Sequence, residues 1–413
     1  MQRHAVISGI GLVTPLGIGR QVFWTSLMAG LSGIRPITRF PAESYPMKVA
    51  GEVPDFDPKH YMDARETRRF PLVSQYAVAA AKMALEDADI QPGANNAIGA
   101  CFATCISGGS DIIDDNVPAF LEKGYSTVAP WLSTNYSPHV VTANVAQILN
   151  LNGPKTTISS GCGSSMDVLE WARNRVESGA ADIVVAGASD TPLFPFVFSM
   201  LCASRGYSPS TVCPRPFDHR HDGGAVSEGA GALIIEDKAH AINRGATIYA
   251  EILGYGSAGE PGDIYRAPDG SASERSMRFA LADAELRPSD IDCVLPLAPG
   301  SPPIDRADCD TIRAVLGDHA YRIPVPGIEG ALGHLVAASG LMQLSALALA
   351  IHHQQAPPTI NFEKAAAGCD LDCVPNRGRH SRIRRAVALS RSLSRTCVSV
   401  ALGQGRGTSP RPG

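Results

Sequence analysis

Short β-branched runs alternate along this chain with longer stretches of helical periodicity, and that alternation restricts it to an α/β architecture. Residues 5–10 (AVISGI) are expected to form a strand, and 72–88 an Ala-rich helix suited to close packing. A strand over 155–159 leads into a helix over 164–178 that Gly179 ends. Further strands are expected at 182–187, 231–236 and 247–253. A loop rich in Gly and Pro, 256–271, then separates two halves, and the style repeats beyond it. The second half has a helix near 272–285, strands at 292–297 and 323–326, a helix from His334, and strands near 386–390 and 397–402. The end of the chain, 403–413 (GQGRGTSPRPG), has the composition of a frayed terminus.

Composition excludes several function classes. Hydrophobic residues make up 44% of the 413, so a sizeable core is available. The net charge is −4 with no basic block, which argues against a nucleic-acid partner. The longest apolar stretch, Leu335 to Ile351, is interrupted by Ser339, Gln343 and Ser345 and is too short to span a membrane. It reads as a buried core helix, and no membrane association is expected. The start, MQRHAVISGIG, lacks a signal-peptide pattern, so a cytoplasmic location is expected. Ten cysteines show no disulfide spacing. The pairs Cys101/Cys105 and Cys369/Cys373 lack the residues that would complete a zinc set, so no metal is expected. They read as small buried hydrophobes in a reducing compartment. Ser8-Gly9-Ile10-Gly11 follows a strand as a dinucleotide fingerprint would, but Thr14 takes the third glycine position and Pro15 follows.

One segment carries chemistry: Thr156-Thr157-Ile158-Ser159-Ser160-Gly161-Cys162-Gly163-Ser164-Ser165-Met166-Asp167. A β-branched run ends in small residues around one cysteine, and a helix follows with Met166, Leu169, Ala172 and Val176 as its apolar stripe. A cysteine in such a turn sits at a helix N-terminus, where unpaired N–H groups and the positive dipole end favour a thiolate. The small neighbours let a substrate carbonyl approach, as in a nucleophile elbow.

This turn resembles the STGCTSGLD active-site segment of ketosynthase subunits of aromatic type II polyketide synthases, members of the β-ketoacyl synthase family. The resemblance extends over nearly the whole chain, through VISGIGLVTPLG at the start, AGASDTP (186–192), RPFDHRHDGGAVSEGAGALIIED (215–237), GALGHLVAASG (330–340) and PPTINFEKAAAGCDLDCVP (357–375). It implies a thiolase fold: five layers, αβαβα, in two pseudo-repeated halves. The nucleophile half is placed at 1–255, the half carrying His334 at 256–402, and a flexible tail at 403–413. It implies an acyl carrier protein as partner, whose phosphopantetheine arm makes a dissolved cofactor unnecessary. It also implies a homodimer, or a heterodimer with a ketosynthase homologue.

The family pattern is kept in part. Cys162 matches the nucleophile and His334 the second histidine, but the family's lysine five residues earlier is Glu329 here. The family's first histidine lies in an asparagine-alanine-histidine-glycine-threonine segment. The matching stretch is Leu297-Ala298-Pro299-Gly300-Ser301, so Pro299 stands in its place and Ser301 is the remaining hydroxyl for the phosphopantetheine. The family's Gly-Phe-Gly-Gly loop is matched by Ser392-Leu393-Ser394-Arg395, which makes the backbone N–H groups of Cys162 and Leu393 the expected oxyanion hole. Without the first histidine, decarboxylation of a malonyl thioester should be severely impaired, by roughly 10²–10⁴ in rate.

These features lead to an acyltransferase or cyclase that takes a chain onto Cys162 and passes it on without decarboxylation. Glu329 reverses the charge of the family's lysine, which should favour a protonated imidazole, and it is expected to complete a cysteine–base–orienter triad with Cys162 and His334. Two alternatives remain. One is true condensation with a displaced catalytic group drawn from His139, His219 or His221; the other is a non-catalytic partner subunit resembling a chain-length factor. Asp305, Asp308 and Asp310 are read as loop hydrogen-bonders rather than a metal site.

Overall fold

The computed structural model describes residues 3–93, 97–106, 112–203, 212–263, 269–392 and 394–405. In chain order the framework is β1 (Ala5–Thr14), α1 (Leu72–Asp87), β2 (Ile98–Ala103), α2 (Val140–Ile148), β3 (Lys155–Ile158), α3 (Ser164–Glu177), β4 (Ile183–Asp190) and β5 (Gly229–Asp237). It continues with β6 (Ala250–Gly259), α4 (Ser271–Asp283), β7 (Cys293–Leu295), α5 (Pro302–Leu316), α6 (Glu329–Leu332), α7 (Ser339–His353), β8 (Arg385–Arg391) and β9 (Thr396–Gly403).

These strands form one mixed sheet in the order β7-β8-β9-β6-β1-β5-β4-β2-β3, and Gly17–Ile18 pairs off β1. Alternation sorts the side chains into layers. On β4, Ile183 and Val185 pack outward with the Ala-rich face of α1 and with α2. Val184, Ala186 and Ala188 face the central layer of α3 and α7. In the second half, Val387 and Leu389 of β8 pack with α4 and α5, while Ala386 and Ala388 face the same central layer. The result is the five-layered αβαβα arrangement expected of a thiolase fold. The apolar helix α7 lies in its middle with Leu341 through Ile351 buried.

The two halves repeat one topology. The order β1-β5-β4-β2-β3 is matched by β6-β9-β8-β7. The first strand–helix contact repeats as well. A Cβ on Gly9 or Gly11 of β1 would overlap the carbonyl oxygens of Ala84 and Ala80 on α1. A Cβ on Gly254 or Gly256 of β6 would overlap those of Ala280 and Ser276 on α4. The G-x-G of β1 is therefore a packing device, which accounts for its failure to continue as a nucleotide fingerprint.

The structure corrects several boundaries. Residues 256–259 are not loop: they extend β6, with Gly256 opposite Ser399 of β9. Residues 323–326 lie beside β7, where Val294 N–H donates to the Pro324 carbonyl at 3.1 Å, but they form no strand. Pro324 and Pro326 have no N–H to continue a ladder, and the Val325 N–H goes to Asp372 instead. The helix expected from His334 starts at Ser339, because Val336 takes φ +54° and interrupts the turn between them. Residues 406–413 of the expected tail lie outside the described residues.

Candidate active site

The central helices α3 and α7 begin side by side. A Cβ on Gly340, in the first turn of α7, would come within 2.6 Å of Ser165 Oγ on α3. Both chemistry-bearing residues sit just upstream of these helix starts.

Cys162 immediately precedes Gly163, the N-cap of α3. The turn that presents it is held by its own hydroxyls. Ser164 Oγ accepts from the Ser160 N–H at 2.8 Å and donates to the Gly161 carbonyl, while Ser160 Oγ donates to Asp167. Gly161 takes φ +99°, and a Cβ there would overlap Ser392 Oγ. The strand-to-helix turn thus lies against the turn after β8, where the family's second oxyanion loop is expected. That turn is closed by Arg395 N–H donating to the Ser392 carbonyl at 3.0 Å and by Ser392 N–H donating to Thr396 at 2.8 Å. Ser392 Oγ and Ser394 Oγ lie 2.8 Å apart in it, and Arg395 takes φ +65°. Leu393, the expected second oxyanion donor, lies outside the described residues. Cys162 itself is 6% exposed.

Beside it lies a thiol the sequence reading did not place in the site. Cys105 follows β2, the strand paired in parallel with β3, so the two strand ends deliver Cys105 and Cys162 to one spot. Burial, with Asp190 and Cys162 as negative neighbours, pushes the Cys105 thiol far up, while Ser164 and the Gly161 backbone hydrogen-bond to it. Cys105 is therefore held as a thiol.

Asp190, fully buried at the end of β4, ties this corner to the base. Its carboxylate accepts from Thr104 Oγ1 at 2.8 Å, from the N–H groups of Cys105 and Ile106, and from the Ala337 N–H at 2.9 Å. One side chain thus fixes the segment next to Cys162 and the turn three residues past His334. Neither Asp190 nor Cys105 was found from sequence, although Asp190 stands in the family-like AGASDTP.

His334 is 2% exposed and its backbone is pinned, its N–H donating to Ala225 and its carbonyl accepting from Ser227. Its Nδ1 lies 2.9 Å from Glu329 Oε1 and 3.2 Å from Ser339 Oγ. The expected partnership of Glu329 and His334 is thus present, with Glu329 turned inward at 3% exposure. Its electrostatics differ from the expectation. Burial pushes the Glu329 carboxyl well up, aided by the negative Asp305 and Asp308, and Ser339 opposes the shift. Burial also lowers His334 to about 3. Desolvation outweighs the charge reversal read from sequence and opposes charge on both partners.

The loop that replaces the family's first histidine packs beside this pair, Ala298 lying against Gly327 just upstream of α6. Pro302 and Pro303 are the first two residues of α5, where proline's missing N–H costs nothing. Ser301 is its N-cap, and its carbonyl accepts from Ile304 and Asp305. Asp305 accepts from Gly300 N–H at 3.1 Å and Phe217 N–H at 2.8 Å, and Asp308 accepts from Ala298 N–H at 3.0 Å. Both are the loop hydrogen-bonders read from sequence, and burial lifts Asp308 to about 6. Asp310 pairs with Arg306 and Arg313 at the surface. Of the three histidines considered as substitutes, His139 and His219 are exposed. His221 Nδ1 lies 2.9 Å from Asp305.

The N-terminal domain of beta-ketoacyl synthase matches residues 2–241, and its C-terminal domain matches 249–363. The chain belongs to the beta-ketoacyl synthase family. It is 33% identical to 3-oxoacyl-[acyl-carrier-protein] synthase 2 of Coxiella burnetii over 389 residues, 92% of this chain and 94% of that one. It is 34% identical to a putative polyketide beta-ketoacyl synthase 1 of Streptomyces cyaneus over 403 residues, covering 94% and 95%. Among solved structures, the ishigamide ketosynthase/chain length factor superposes with a TM-score of 0.91 at 29% identity, covering 98% of this chain and 100% of that one. Fold and family are therefore those of the condensing transferases of fatty-acid and type II polyketide synthesis.

Proposed function

We propose that this ketosynthase homologue transfers an acyl or polyketide chain through Cys162 without decarboxylating a malonyl unit. The observation that carries this reading is the pairing of a retained nucleophile turn and buried histidine with a proline at position 299. Loading needs a thiolate, a proton acceptor and an oxyanion site. Cys162 sulfur attacks the thioester carbonyl, the bond to the phosphopantetheine sulfur breaks, and the thiol proton passes by way of His334 to the departing sulfur. Building an enolate from malonate needs further stabilisation of negative charge, and proline offers no donor for it.

The acyl group would arrive on an acyl carrier protein, whose arm brings the phosphopantetheine past Ser301. Similarity to a solved ketosynthase bound to a hexaketide, in complex with its acyl-carrier protein, supports that partner. Similarity to a ketosynthase/chain length factor supports pairing with a second copy or a homologue. The same similarity favours a second reading, a non-catalytic partner subunit, which the retained Cys162 opposes.

Intact-mass analysis after incubation with acyl carrier protein thioesters tests the proposal. The expected result is an acyl adduct on Cys162, absent from Cys162→Ala, with no carbon dioxide released from the malonyl thioester. Absence of the adduct overturns acyl transfer. Full product formation by Cys162→Ala in the reconstituted pathway establishes the partner-subunit reading instead.

A further inference from the structure

Ser339 interrupts an otherwise apolar run, and a hydroxyl buried to 2% exposure must spend its hydrogen bonds locally. It spends them on the site. The Leu335 N–H donates to Ser339 Oγ at 2.8 Å, which leaves the hydroxyl proton to be offered elsewhere. What lies within reach is the pair itself: His334 Nδ1 at 3.2 Å, and the Glu329 carboxyl, to which Ser339 also hydrogen-bonds. The direction of this chain, from backbone amide to hydroxyl to pair, brings positive polarity to Glu329.

We propose that Ser339 is a positioning residue of the transfer site, its hydroxyl holding Glu329 as a proton acceptor for His334 Nδ1 so that Nε2 is open to the Cys162 proton. The proposal rests on the acyl-transfer reading of Cys162. In the activated state the S–H bond of Cys162 is broken and an N–H bond formed at Nε2. The imidazolium donates Nδ1–H to the Glu329 carboxylate, and that carboxylate also accepts the Ser339 O–H. Loss of the hydroxyl removes a donor from a buried carboxylate. Glu329 then keeps its proton and donates it to Nδ1, the imidazole proton sits on Nε2, and the base is blocked. The other ionisable groups facing this network are Asp305 and Asp308 from α5, backed by His221 and Arg391, and Asp190 and Cys105 beside the nucleophile. The two α5 acids oppose ionisation of Glu329, which is why a local donor is needed.

The test is the pH dependence of alkylation of Cys162 by iodoacetamide, followed on the Cys162 peptide by mass spectrometry. In Ser339→Ala the rate near neutrality should fall roughly tenfold, the size expected for one charge-assisted hydrogen bond, and the profile should move to higher pH. Ser339→Thr should restore it, and adding Ser339→Ala to Glu329→Gln should change nothing further. A Ser339→Ala profile that coincides with the parent overturns the proposal, as does an equal loss in the Glu329→Gln background. Thermal unfolding of each variant separates these outcomes from misfolding. Alkylation needs no carrier protein, so failure of acyl loading with the expected alkylation profiles overturns the transfer reading alone.

Discussion

His334 Nδ1 and Glu329 Oε1 meet at 2.9 Å in a region where neither residue is more than 3% exposed. The stability of the fold should therefore depend on pH at both ends. Glu329 is raised in the folded state, so its favourable contribution is complete below the ordinary glutamate range and is lost as pH rises. His334 is lowered to about 3, so its contribution is complete above the ordinary histidine range and is lost as pH falls toward that value. Urea midpoints measured from pH 4 to 9 should fall less steeply on the alkaline side for Glu329→Gln than for the parent, and less steeply on the acid side for His334→Gln. Parallel curves for parent and variants would place the charges elsewhere.

In the proposed reading, Pro299 is the residue that separates this site from a decarboxylating one. Pro299→His restores an imidazole between Ala298 and Gly300, both at positive φ and both anchored to buried aspartates. Carbon dioxide release from a malonyl thioester, absent in the parent, should become measurable. Release at the parent's level would show that the lost histidine is not what limits the reaction.

Gly161 has room for no side chain. Gly161→Ala meets Ser392 Oγ and must also hold φ +99°, so roughly 1–3 kcal/mol of stability should be lost. Acyl loading should fall by more than a hundredfold as the turn shifts. Adding Ser392→Gly should recover part of the stability, because the overlap goes while the backbone strain stays. Denaturation curves and loading rates on the three proteins check this.

Asp190 serves donors from two separate segments. Asp190→Ala leaves Thr104, Cys105, Ile106 and Ala337 without their acceptor and should cost about 3–5 kcal/mol. Urea denaturation measures this. In hydrogen exchange the Ala337 amide should lose protection together with those of Cys105 and Ile106, since one carboxylate guards all three.

Much of this was legible in the residues. Periodicity located β1, α1, α3, α4 and the central apolar helix, and the small residues between the strand at 155–159 and the helix from 164 marked the nucleophile turn around Cys162. What escaped was set by burial and by distant packing. Glu329 was read as a charge that would favour a protonated imidazole, because nothing in sequence tells that it is sealed against Asp305 and Asp308. Ser339 was noted only as a break in an apolar run. Its burial among alanines and leucines is the signal that it must bond to something. The proposed strand at 323–326 lies where a strand belongs in the repeat, and its two prolines deny it the hydrogen bonds. Cys105 was grouped with Cys101 by spacing, yet its neighbour in space is Cys162.

The glycine pairs of β1 and β6 seat a helix directly on a strand backbone in each half, and none of them belongs to the loops at positions 297–301 and 392–395. Architecture and reactivity are thus inherited through different residues. A lineage could rewrite those loops, exchange a histidine for a proline or glycines for serines, and acquire a new reaction while the ancestral scaffold persisted.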